Sequence, residues 1–153
     1  MKKTKYSLII SLILSLAAAV KLPAQMKNDR AIDADSSMMK YTLENCVNHF
    51  SMDKTDKTDA GYQYWFIDKN FAEGKTLKLS VVKPHNATHE PHVHPEDEIF
   101  YILEGEAEVY LNGRWKAISS NTSFYCPLNV KHGIRNSGNT ELKYLVIKKY
   151  EKK

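Results

Sequence analysis

From Tyr62 onward, apolar and polar positions alternate in short runs separated by turn signals. Tyr62–Asp68 (YQYWFID) is aromatic and β-favouring, and Leu77–Val82 (LKLSVV) is a second such run after the turn at Gly74. The stretch EIFYILEGEAEVYL predicts two strands broken at Glu104-Gly105, and Asn112-Gly113 is a strong hairpin signal. RWKAIS, SFYC, HGIRN and LKYLVIKKY supply further short strands. Many short strands with no long amphipathic helix predict an all-β sandwich or barrel. Before Tyr62 the pattern is weaker. Residues 25–40 lack periodicity and read as a flexible leader, 41–50 as a first strand or short helix, and 51–61 as a polar loop.

The amino terminus has a different pattern. Lys2, Lys3 and Lys5 precede a mostly apolar run from Leu8 to Val20, and Pro23-Ala24-Gln25 follows a small-residue stretch. This is the layout of a secretory signal peptide over residues 1–24, with cleavage expected after Ala24 or Ala19. The run is shorter than the roughly 17–25 residues that span a bilayer, so no stable membrane insertion is expected after cleavage. The expected location is the periplasm or the exterior. The segment also changes the meaning of the charge. The chain of 153 residues carries 22 basic and 18 acidic residues, a net +4. Residues 1–24 hold four lysines and no acid, so the remainder is neutral, and nothing basic is left to favour nucleic acid. Export permits a disulfide between Cys46 and Cys126. Two buried free thiols are the plainer alternative.

The chemistry concentrates in His92-Val93-His94-Pro95-Glu96-Asp97-Glu98. In extended chain, residues i and i+2 share a face, so His92 and His94 can direct both imidazoles to one point. If extension resumes after Pro95, Glu98 reaches the same point. Two imidazoles and a carboxylate suit Fe, Mn, Zn, Ni or Cu. His132, opening the late strand HGIRN, is the candidate fourth ligand, which a barrel would bring opposite the first strand.

These residues resemble the cupin superfamily. Its first motif runs His-x-His, three or four residues, Glu, six residues, Gly; this chain has His92, His94, Glu98 and Gly105. In the second motif Pro127, His132 and Asn136 are in register. Asn86, Asn121 and Asn129 replace three family glycines; asparagine tolerates positive φ, so the turns can be kept. The resemblance covers roughly residues 62–150, within an expected domain of 61–150 preceded by a leader and first element over 25–60. It implies a small conical β-barrel (double-stranded β-helix, or jelly roll) in which His92, His94, Glu98 and His132 hold one divalent metal ion. Gly105 would make the turn after the first motif, and Asn136 would be structural.

Alternation from Glu98 sends Phe100 and Ile102 inward and Tyr101 outward. Phe124 and Cys126 are candidates for the opposite wall. From His132, Ile134 points inward and Arg135 outward. The expected pocket lining is therefore Phe100, Ile102, Phe124 and Ile134. Tyr62, Tyr64 and Phe66 share a face expected to be core. His85 and His89 read as exposed loop residues, and Glu104, Glu106 and Glu108 as a solvated face. Cupins support many chemistries, so three functions stay open. The first is an enzyme isomerising or ring-opening a small sugar or uronic acid, like the small cupins that linearise unsaturated uronates. The second is a metal-dependent dioxygenase of a small aromatic or diketone. The third is a non-catalytic ligand-binding module. The partner in each case is a small molecule, and the β-rich carboxyl terminus permits a homodimer through edge strands.

Overall fold

Residues 40–151 are described by the structure, a computed structural model. The chain falls into two units, Met1–Lys40 and Tyr41–Lys153, and every described strand belongs to the second. The expected signal segment and leader, up to residue 39, lie outside the described residues.

Among the described residues, nine strands form two antiparallel sheets: β1 (Asp56–Thr58), β2 (Gly61–Ala72), β3 (Lys75–Val82), β4 (Glu98–Glu104), β5 (Glu106–Leu111), β6 (Arg114–Ser119), β7 (Ser123–Cys126), β8 (His132–Asn136) and β9 (Leu142–Lys149). The larger sheet has the order β1-β2-β3-β9-β4-β7, and the smaller β6-β5-β8. Alternation along β4 explains how they face each other. Glu98, Phe100 and Ile102 are buried, whereas Ile99, Tyr101 and Leu103 are exposed on the outer side. The inward residues join Ala107, Val109, Ile134, Leu142, Tyr144 and Val146 in one core between the sheets. Fully burying a side chain such as Ile102 stabilises the fold by about 1.5–3 kcal/mol.

A second cluster of Tyr64, Leu79 and Val81, flanked by Tyr62, Phe66 and Leu145, covers the outer face of the larger sheet. The segment before β1 helps to close it. Phe50 packs edge-on against Tyr64 at 5.2 Å between ring centroids, and the Tyr64 hydroxyl donates to the His49 carbonyl at 2.8 Å. Residues 41–50 contain a short helix, α1 (Leu43–Cys46), capped by Thr42. The polar stretch expected to be a loop also contains β1, an edge strand whose residues Asp56 and Lys57 are exposed, so no apolar alternation marked it.

The turns follow the sequence with one change. Asn112-Gly113 joins β5 to β6 with φ of 47° and 85°, the positive pair a two-residue hairpin turn requires. Asn121 and Asn129 take positive φ, at 60° and 58°. Asn86 does not; the neighbouring His85 does, at 56°. Gly105 has φ of 91°, and a Cβ there would lie 2.7 Å from the Glu141 carbonyl oxygen. Asn136 is buried and structural. Its amide donates to the carbonyls of Val82 (2.9 Å) and Thr140 (2.7 Å), and its oxygen accepts from Gly138 N–H (2.9 Å). Arg135 points outward, paired with Glu108 and stacked over Trp115.

The two cysteines are free thiols in different settings: Cys46 is exposed on α1, and Cys126 is buried at the end of β7.

Candidate metal centre

Local backbone pairing assembles the histidines. His92 lies in the loop between β3 and β4, where it forms an isolated antiparallel bridge with His132 of β8. His92, His94 and His132 present nitrogens that all lie within 4.8 Å of one another. Glu98, at the start of β4, closes the set. Its Oε1 is 3.0 Å from His132 Nε2 and 3.5 Å from His94 Nε2. All four candidate ligands thus converge. A second triad, Glu98, Cys126 and His132, meets the same spacing, so the Cys126 sulfur borders the cluster. Burial, then the nearby Glu98 carboxylate, pushes that thiol far above its ordinary pKa, keeping it protonated.

The donor chemistry fits a cation. His132 Nδ1 is 2.7 Å from the Val130 carbonyl, and His92 Nδ1 is 3.1 Å from the Glu90 carbonyl. A carbonyl only accepts, so each Nδ1 carries a proton, and in the neutral ring each Nε2 directs its lone pair to the centre. His132 Nε2 lies 3.0 Å from Glu98 Oε1, a pair held together by a proton on Nε2 or by a cation between them. Lys148 Nζ donates to His94 Nε2 at 3.2 Å, and His94 Nδ1 is buried without a hydrogen-bond partner, its contact with Glu96 at 3.5 Å lacking the geometry of one. Three imidazoles and a carboxylate form a possible site for one divalent metal, a mixed nitrogen–oxygen set that leaves its identity open.

The cluster opens on a cavity of about 330 Å³. Of the expected lining residues, Phe100 and Ile134 face it. Ile102 and Phe124 do not. Phe100 packs against Tyr144 (5.5 Å) and Phe124 (5.9 Å) and closes that side. Ile102, one inward position further along β4, belongs wholly to the core, and Phe124 borders a separate cleft with Val109 and Trp115. A larger cavity of about 790 Å³ beside the β2–β3 turn carries no imidazole.

The rest of the cavity wall is mixed: Gln63, Lys78, Ser80, Thr88, His89, Tyr144 and Lys148 supply polar groups, beside Val146 and Tyr150. Residue type and spacing alone did not single out Lys78, Lys148 or Tyr144, and they placed His89 in the exposed loop. His89 is indeed exposed, yet it lies edge-on to His92 at 5.7 Å, and burial together with that neighbour lowers its pKa. Alternation along β9 held the missing signal: Leu142, Tyr144 and Val146 point inward, so Lys148 follows them.

A β-barrel with a histidine–carboxylate centre at one mouth defines a class of metal-binding barrel proteins. Residues 78–148 match the family model described as the cupin domain, so this part of the chain is a cupin domain. It is 26% identical over 118 residues to a mannose-1-phosphate guanylyltransferase of Salmonella montevideo. That alignment takes in 76% of this chain but only 24% of the enzyme. Among solved structures it resembles a predicted oxalate decarboxylase from Thermotoga maritima, with TM-score 0.61 and 23% identity over 67% of this chain and 97% of that one. It also resembles a Cupin 2 conserved barrel domain protein from Salinispora arenicola, with TM-score 0.57 and 15% identity over 68% and 87%. At these identities the two structures establish the fold.

Proposed function

We propose that this cupin is an exported, metal-dependent enzyme that isomerises or ring-opens a small oxygen-rich metabolite, a sugar or uronic acid. One observation carries this reading: the histidine–glutamate cluster shares its cavity with Gln63, Ser80, Thr88 and Tyr144, which give the wall a hydrogen-bonding side. Such a wall suits vicinal hydroxyls better than an apolar aromatic ring. The match to a mannose-1-phosphate guanylyltransferase supports a sugar-derived substrate, and the basic, then apolar, residues 1–24 support export.

A divalent cation held by His92, His94, Glu98 and His132 would act as a Lewis acid on a carbonyl or hydroxyl oxygen. The chain's own groups supply orientation. Tyr144 is buried and its hydroxyl is 3.3 Å from Thr88 Oγ1; burial raises its pKa, so it remains a hydrogen-bond donor. Ser80 and Gln63 lie opposite each other on β3 and β2 and offer a hydroxyl and an amide to the same substrate. Phe100 and Ile134 limit access from the core side.

The test is incubation of metal-loaded full-length protein with unsaturated uronates and hexoses, followed by proton NMR. New signals from an open-chain or isomerised product are expected. No change with any uronate or hexose would sink the proposal.

A further inference from the structure

The cavity contains two lysines with different surroundings. Lys148 is engaged: its Nζ is 3.2 Å from His94 Nε2, 3.5 Å from Glu96 Oε2 and 3.9 Å from Glu98 Oε2. Lys78 stands one strand away, in the middle of β3, paired in register with Trp65 on β2 and Val146 on β9. It is half-buried, and its Nζ lies 5.1 Å from the centroid of the Trp65 ring. Among the described residues, no carboxylate lies within ion-pair distance of it.

Half-burying an ammonium without an acidic partner is unfavourable. Desolvation lowers the pKa of Lys78, and the charge of Lys148 adds to this while Glu98 opposes it; the three charges therefore share one field. Their balance is informative. Lys78 and Lys148 cancel Glu96 and Glu98, so a divalent cation in the cluster adds two uncompensated positive charges. Such a cavity is complementary to an anionic ligand.

We infer that Lys78 receives the carboxylate of the substrate, so that the site selects sugar acids over neutral sugars. This inference rests on the function proposed above and names its substrate class. A carboxylate on Lys78 forms the charge-assisted hydrogen bond that the lysine lacks. Ser80, two residues along the same face of β3, and Tyr144, its register partner on β9, then meet the sugar hydroxyls.

The test is calorimetric titration of the metal-loaded full chain with galacturonate, galactose and galactose 6-phosphate, using wild type, Lys78→Gln and Lys78→Arg. Wild type is expected to prefer galacturonate over galactose by about tenfold or more. Lys78→Gln should abolish that preference while galactose affinity and metal content stay unchanged, and Lys78→Arg should restore part of it. Equal affinity for galacturonate and galactose in wild type, or a preference that survives Lys78→Gln, overturns the inference. A stronger preference for galactose 6-phosphate overturns the assignment to a carboxylate. Uronate turnover with KM unchanged in Lys78→Gln defeats this inference and leaves the proposed reaction standing. Lys78-dependent galacturonate binding without turnover of any uronate or hexose defeats the reaction and leaves the inference standing.

Discussion

His92 and His132 exchange both backbone hydrogen bonds, at 2.9 Å from His92 N to His132 O and 3.0 Å in the return direction. This bridge ties an otherwise irregular loop to the edge of the smaller sheet and holds the two rings 5.2 Å apart between centroids. Two candidate ligands from distant parts of the chain are thus positioned by main chain.

Pre-positioned ligands make metal binding a source of stability. Metal at 100 times its dissociation constant should raise the unfolding free energy of wild type by about 2.7 kcal/mol. Glu98→Gln and His132→Asn should lose most of that gain while remaining folded. Elemental analysis and thermal melts with and without chelator check this; a wild type indifferent to chelator and metal would contradict it.

Lys78→Met should stabilise the ligand-free protein by about 0.5–2 kcal/mol, because an apolar chain replaces a half-buried charge that lacks an acidic partner. Galacturonate should then raise the melting temperature of wild type but not of the variant. Denaturant titration and melting curves give both answers, and a destabilised Lys78→Met would count against the unpaired-charge argument.

Asn136→Ala should destabilise by about 3 kcal/mol. The change strands the Val82 and Thr140 carbonyls and the Gly138 N–H in a site where Asn136 is only 1% exposed. Urea unfolding measures this, and a loss below about 1 kcal/mol, the low end for one stranded buried group, would be inconsistent with those bonds.

Gly105→Ala should cost about 2–4 kcal/mol, combining positive φ with a Cβ pressed onto the Glu141 carbonyl. The same unfolding assay applies, and Gly113→Ala is the comparison. Gly113 also has positive φ, but nothing lies within 4 Å of its Cβ position, so its cost should be smaller.

Native protein treated with iodoacetamide at mild alkaline pH should be alkylated at Cys46 and spared at Cys126. The first thiol is exposed; the second is 0% exposed, and its burial holds it protonated. Both should react in urea. Peptide mass spectrometry distinguishes the sites.

Much of the barrel was legible because the relevant strands are half-buried. In β4 the alternation of Glu98, Phe100 and Ile102 with Ile99, Tyr101 and Leu103 is clean, since one face meets the core and the other meets solvent. The same periodicity overreached at Ile102. It reports which face a residue takes but not how deep along the strand the cavity ends, and Phe100 ends it. In β3 the alternation is blurred: Leu79 and Val81 are buried on the outer face beneath Tyr64, so Lys78 sits within a run apolar on both sides. β1 carried no pattern to read.

By itself, the sequence determined the strands from β2 onward, the hairpin at Asn112-Gly113 and the candidate ligands His92, His94 and Glu98, because those features depend on local periodicity and on residue type at short spacing; His132 came from its place at the start of a late strand and from the family motif. The tertiary structure alone decided that His132 pairs with His92, that Cys126 borders the cluster, and that Lys78 and Lys148 share its cavity with one engaged and the other not. The first joins residues 40 positions apart and the last residues 70 apart, through sheet register and the packing of two sheets, which no local pattern encodes.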